Sequence, residues 1–565
     1  MNTRSRAAPR FAFALATLGA GAACGAAMKV TDLVTGGEAR EQRKRADDAP
    51  RTSAGHPPIL FIALDGVDRH LLYELLRKNE LPALEALLGG SEGRFPHACF
   101  DETLLSTLPS STMAAWTTAM TGVPPATHGV TGNEFFIREE RRLAAPAPVS
   151  FDDSKTTLSI YTDGYLDALK KAPSVYDRMR EREPDILIWV AMHQIFSGAD
   201  KLIVTKPTIL VQAFEHFFEQ VAAGARVTRD GFKKLDEQVV SAVVTELEHG
   251  DLPDVLAIYL PGTDLYAHVA DEGPDEARKS YLKEIVDPAL AKLLARLRDR
   301  HALDDRYIIV TADHGHTEVV RDDAHALSAQ GPAYPPALMK KAGYRVRPFS
   351  LDVSEKDDFD SVLVEGGAMA YVYVADRSTC AATGTPCDWA RPPRFEEDVV
   401  PMAEAFYKNN EDGSSVPEMK GTLDLVLTRH PKPVPEVDLP FEVYVGSGKT
   451  VPLEVYLSEH PHPTYIDAAA RFRDLAVGPR GERAGDILLL AHNGDRKDPA
   501  DRFYFASPYR SWHGSPSRQD SEIPLIVGNP RRTSESIHTD VTRVLGGRPY
   551  QQKITDLLLD LRSSH

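Results

Sequence analysis

The clearest pattern in the chain is a set of short, unbroken apolar runs separated by stretches of helical periodicity. Ile59 to Leu64 reads ILFIAL, with no polar position in it. Such a run predicts a strand buried on both faces rather than one. Asp185 to Met192 (DILIWVAM), Asp254 to Leu260 (DVLAIYL) and Arg306 to Ala312 (RYIIVTA) repeat the pattern. Between them, apolar residues recur at helical spacing in DRHLLYELLRKNELPALEALL from Asp68, across 209–250 and across 278–301. Strands alternating with helices predict an α/β fold with a central, mostly parallel sheet and helices on both faces. In such sheets ligands bind beyond the carboxyl ends of the strands. Asp65, Asp264 and Asp313 each stand just past such an end.

Two long stretches, about 135–250 and 317–500, carry no residue of this kind and read as insertions that decorate one catalytic domain spanning 57–565. The second holds Cys380 and Cys387 in a loop-like segment, CAATGTPC. A local disulfide is expected there if the protein is exported. Two thiolates alone do not fill a zinc site. Cys99 is then left unpaired and buried.

The N-terminus supports export. Arg4, Arg6 and Arg10 precede an apolar run that ends at Cys24 and is too short to span a bilayer permanently. Residues 1–24 therefore read as a signal peptide, placing the mature protein in the periplasm or outside the cell. Gly21-Ala22-Ala23-Cys24 resembles a lipoprotein box but lacks the usual aliphatic residue three before the cysteine. Lipidation of Cys24, the one expected route to a membrane, stands as the alternative to plain cleavage. The polar stretch within 25–56 reads as a flexible linker.

The chain has 565 residues, 82 acidic against 65 basic, for a formal charge of −17. That balance excludes a duplex nucleic-acid binder, which needs a basic face. It does not exclude a phosphate substrate, because bound cations reverse the local field.

Candidate chemistry begins at PSSTMAAWTTAMTG. Small hydroxyl residues precede good helix formers, so Thr112 is expected at or near a helix N-terminus, where a phosphate is favoured. Taken alone, Ser110, Ser111 or Thr112 reads as an N-cap rather than a nucleophile. A nucleophilic hydroxyl needs activation, and metal ligands follow. Asp264 and His268 are four apart and share a face if helical. The Asp313-His314 pair directly after a buried strand needs a partner to be tolerated. His513-Gly514-Ser515 taken by itself reads as a turn.

Together these residues resemble the alkaline phosphatase superfamily, most closely its nucleotide pyrophosphatase/phosphodiesterase branch. Thr112 precedes Thr121-Gly122 by nine residues, Pro125 and His128-Gly129 keep the family register, and Asn133 follows Thr112 by twenty-one. The resemblance implies two zinc ions, although Asp/His sites also take manganese and other divalent ions. One would be held by Asp264, His268 and His513, the other by Asp65, Asp313 and His314 with the Thr112 oxygen. Thr112 would attack a small-molecule phosphate ester to give a phospho-threonine, and Asn133 would stabilise the charge on a nonbridging oxygen. Phe135 and Phe136 would either stack on the substrate or pack in the core. Ala114-Ala115-Trp116 departs from the Pro-Asn-His of many nucleotide-hydrolysing members, and no sulfatase motif lies near Thr112. A phosphodiesterase is the leading expectation. A phosphomonoesterase using Arg138, Arg141 or Arg142 is the alternative within the superfamily. A noncatalytic phosphate- or carbohydrate-binding surface protein is the alternative outside enzymes. His193 reads as an interior histidine, and His316 is not one of the six expected ligands.

Overall fold

The computed structural model describes residues 39–42, 55–148, 154–206, 210, 229–328, 334–348, 358–380, 384–430 and 439–563. The expected signal peptide and Cys24 lie outside the described residues. Among these residues the largest sheet has eight strands, in the order Ala39–Glu41, Lys201–Ile203, Ile188–Ala191, Val255–Leu260, Ile59–Leu64, Tyr307–Ala312, Leu525–Gly528, Ala98–Asp101. The five strands from Lys201–Ile203 to Tyr307–Ala312 run parallel, and antiparallel strands close both edges. Every residue of the three central strands is buried, as their unbroken apolar character requires.

Two boundaries differ from the sequence reading. The stretch 135–250 is not a decoration, because Ile188–Ala191 and Lys201–Ile203 are integral strands of the main sheet. Within the expected linker, Ala39–Glu41 pairs with Lys201–Ile203 as an edge strand. The helical pattern from Asp68 splits into Arg69–Arg77 and Pro82–Leu87. Asn79 adopts φ 57°, a left-handed conformation that ends a helix, and Pro82 starts the next one. The pattern across 278–301 is continuous but passes through a π-turn at Leu282–Val286. Pro288 follows in the first turn of Asp287–Asp299, where it has no N–H to give the preceding turn.

The stretch 317–500 builds a sheet of its own. Ser361–Gly366, Met369–Val374, Ile487–Ala491, Leu423–Thr428, Glu442–Tyr444 and Thr450–Pro452 pair antiparallel in that order. Its strands alternate between two apolar clusters. Val362, Tyr371, Leu425 and Leu488 enter one, while Leu363, Val372, Val426 and Leu489 enter the other. Cys380 and Cys387 form the expected disulfide beside this sheet, and Cys99 is free and buried.

A small hairpin, Phe135–Ile137 with Arg142–Ala144, joins the two sheets. Adjacent strand residues point to opposite faces, and here the faces belong to different cores. Phe135 packs with the main sheet's cluster. Phe136 packs with Phe359, Tyr373 and Trp389, at centroid distances of 6.3, 5.5 and 4.9 Å. Both are fully buried. Truncating Phe136 to Ala opens a cavity in that aromatic cluster. The expected cost is about 3–5 kcal/mol of unfolding free energy, read from denaturant titration.

Candidate active site

The parallel register sets the centre of the site. Leu64 is level with Leu260 on one side and Ala312 on the other. Asp65 and Asp313 are therefore side by side, one residue beyond the sheet. Asp313 Oδ1 accepts the backbone N–H groups of Gly66 and His314 at 3.1 and 3.0 Å. Asp65 Oδ2 accepts the Tyr259 hydroxyl. Each carboxylate thus has one oxygen committed and one presented to the site. Gly66 is required here: its φ is 67°, and a Cβ would stand 2.5 Å from His316 Nε2.

Asp264 and His268 come from the short helix Gly262–Ala267 and its C-cap, one turn apart as their spacing predicts. His513 is brought in by a ribbon in which Ser511–Trp512 pairs with Thr317–Glu318, just after His314. The rings of His314 and His513 stack at 3.5 Å. His268 Nε2 and His513 Nε2 lie 3.4 and 3.8 Å from Asp264 Oδ1, and His314 Nε2 lies 3.5 and 3.4 Å from Asp65 Oδ1 and Asp313 Oδ2. The six expected ligands thus form two adjacent groups, Asp264/His268/His513 and Asp65/Asp313/His314.

The second hydrogen-bonding atom of each ring fixes its tautomer. His268, His513 and His314 place Nδ1 at 2.7, 2.9 and 3.0 Å from the carbonyls of Ser511, Ser110 and Gly315. Nδ1–H donates to the carbonyl, so Nε2 keeps its lone pair for the site.

Thr112 opens the helix Thr112–Thr121, with Ser111 rather than Thr112 at the N-cap. Its Oγ1 lies 3.2 Å from His314 Nε2. The helix is buried throughout, and its other threonines are satisfied internally: Thr117, Thr118 and Thr121 donate to carbonyls one turn back. Asn133 Oδ1 accepts the Met113 N–H at 3.0 Å, which turns the amide NH2 toward the site. Thr112, Asn133, Asp65, Asp264, His268 and His513 line one cavity. Phe135 and Phe136 do not line it. Of the two readings open for them, the structure shows core packing, on opposite sides of one strand.

Electrostatics favour cations. Asp65 Oδ1, Asp264 Oδ1 and Asp313 Oδ2 are buried with no hydrogen-bond partner. Burial, reinforced by Asp313 and Asp264, holds the Asp65 carboxyl well above the usual range, and burial raises Asp313 too. At Asp264 burial acts in the same direction, but the facing His268 and His316 rings outweigh it and its pKa falls well below the ordinary value. Burial keeps His513 neutral. Buried carboxylate oxygens without hydrogen-bond partners, set among imidazoles whose Nε2 atoms face inward, fit divalent metals.

A model of the type I phosphodiesterase / nucleotide pyrophosphatase family matches residues 59–379, more than half of the chain. The chain belongs to this family. Its members are enzymes, and the Asp/His groups described above are its candidate metal sites. Murine ectonucleotide pyrophosphatase / phosphodiesterase 5 is among the similar solved structures, at 12% identity over 90% of this chain and 95% of that one, with a TM-score of 0.46. Its inactive form in complex with AMP gives 12%, 90%, 96% and 0.47. A search of curated proteins finds no match.

Three residues important to this geometry were not singled out by the sequence reading or were set aside. His316 is buried, with Nε2 2.9 Å from Asp264 Oδ1 and Nδ1 3.0 Å from Ser511 Oγ. Tyr259 orients Asp65. Arg471 is buried under the loop that leads into Thr112 and donates to Thr107 O and Ser110 Oγ at 3.1 and 3.0 Å. Only His316 carried a signal in the sequence, its spacing of two from His314.

Metal analysis of protein purified without chelator should find two divalent ions per chain, and Asp264→Ala should retain fewer. Chelation should lower the melting temperature, because it leaves the buried Asp65 and Asp313 carboxylates uncompensated.

Proposed function

We propose that this enzyme hydrolyses phosphodiesters by way of a covalent phospho-threonine on Thr112. Thr112 Oγ1 forms a bond to phosphorus while one ester P–O bond breaks and the departing alcohol takes a proton. Water then cleaves the Thr112–phosphate bond and frees the hydroxyl. Divalent cations held by the two Asp/His groups would supply Lewis-acid stabilisation and lower the hydroxyl pKa. Asn133, its carbonyl anchored on Met113 N–H, offers its NH2 to a nonbridging oxygen as charge builds there. The Cys380–Cys387 disulfide supports an oxidising, exported setting for this chemistry.

The observation that carries the choice of diester is the lining of the cavity. No Lys or Arg is among the described residues that face it. A monoester brings two negative charges and calls for an added cation, whereas a diester brings one. The arginines that a monoesterase would have used are committed elsewhere. Arg138 donates to Val374 O and pairs with Asp486. Arg141 covers the Phe359 ring. Arg142 is bound to Glu140 and the Tyr165 hydroxyl.

The enzyme should therefore cleave bis-p-nitrophenyl phosphate faster than p-nitrophenyl phosphate, compared by kcat/KM at saturating metal. Thr112→Ala should lose about 10^4-fold or more in kcat with metal content retained, since an attacking group is removed outright. Asn133→Ala should lose about 10²–10³-fold in kcat with little change in KM, the loss typical of one oxyanion donor.

A further inference from the structure

Beyond the reacting groups, the cavity has a wall of a different character. Ile160, Tyr161, Met192, Leu235 and Leu265 face it with hydrocarbon or ring surface. The Tyr161 hydroxyl is already committed, donating to Met192 O at 2.9 Å. Gln194 also lines the cavity; it is 2% exposed, and its Oε1 has no hydrogen-bond partner among the described residues. A buried amide oxygen without a partner costs stability unless a ligand group supplies the donor.

The segment that presents Gln194 is held firmly. Met192 adopts φ 55°, a left-handed conformation rare for a residue with a side chain and characteristic of functional sites. His193 Nδ1 accepts the Ile195 N–H at 3.2 Å. The His193 ring packs edge-on against Trp116 and Tyr259, at 5.2 and 5.9 Å. Gln194 is thus fixed on a turn directly after the strand Ile188–Ala191, beside the phosphate-handling residues.

We propose that this wall is a specificity pocket for the diester's second substituent, which is mainly alkyl or aryl and carries one hydroxyl or amine that donates to Gln194 Oε1. The inference rests on the diesterase reading above and adds the substrate class. A nucleoside fits the wall poorly. Its base edge and sugar bring several polar groups, whereas among the described residues the cavity beyond the reacting groups offers two buried, unpartnered polar atoms, Gln194 Oε1 and Trp512 Nε1, so the others would be desolvated without compensation.

Three p-nitrophenyl phosphodiesters test this with the leaving group held constant: those of n-hexanol, hexane-1,6-diol and thymidine through its 5′ oxygen. The expected order of kcat/KM is diol, then hexanol, then thymidine, with thymidine about tenfold or more below the diol. Gln194→Leu should shrink the diol-to-hexanol ratio about tenfold, and Gln194→Met should do the same if the Leu variant folds poorly. A thymidine ester cleaved fastest, three equal rates, or an unchanged diol-to-hexanol ratio in a folded variant would overturn the specificity pocket and leave the diesterase intact. No cleavage of any of the three by metal-loaded wild-type enzyme would instead overturn the diesterase reading on which the pocket depends.

Discussion

Three carboxylates are packed into one buried volume, each with an oxygen that no hydrogen bond satisfies. The rest of the molecule is arranged around that constraint. An isolated buried carboxylate carries an effective penalty of several kcal/mol, and at Asp65 the neighbouring Asp313 and Asp264 add to it. Cations held by the Asp/His groups would resolve the conflict, and the same ions would then contribute to the stability of the folded state. The imidazoles fit this logic. With each Nδ1–H spent on a carbonyl or hydroxyl, the rings add lone pairs without adding charge.

The fold delivers these groups by simple geometry. Neighbouring strands in a sheet are about 4.8 Å apart, so residues that leave two parallel strands at the same level are close whatever their side chains. Asp65 and Asp313 exploit this. Asp264 and His268 arrive on a single helical turn after the next strand, and the ribbon at Ser511–Trp512 folds His513 back over His314. Few of the ligands are held by side chains alone, because backbone carbonyls and amides fix most of their orientations.

The central strands were legible because full burial on both faces leaves no polar position in the sequence. The six candidate ligands, Thr112 and Asn133, which the structure brings together, were legible partly from strand ends and otherwise through the family resemblance. Other features were not, for definite reasons. The second sheet is also buried on both faces, but its short strands sit among Pro-rich connections and carry no ligands, so nothing marked them as a unit. Ile188–Ala191 looked like a strand, yet only its pairing with Val255–Leu260 shows that it belongs to the main sheet. Phe135 and Phe136 are adjacent aromatics, and a sequence does not reveal that each side of their strand already has a core. His316 acts on Asp264, fifty-two positions earlier, and that proximity exists only in three dimensions.

The hairpin at Phe135–Ile137 ties the two sheets together more tightly than a linker would. One aromatic ring is seated in each apolar interior, and Asn133 lies two residues away. A minimal version of this enzyme made by excising residues 361–491 would pull Phe136 from its socket and release the Asn133 amide that lines the cavity. The second sheet is thus a scaffold for the cavity that Asn133 lines, and attempts to shrink the protein would do better to trim its surface loops than to remove that sheet.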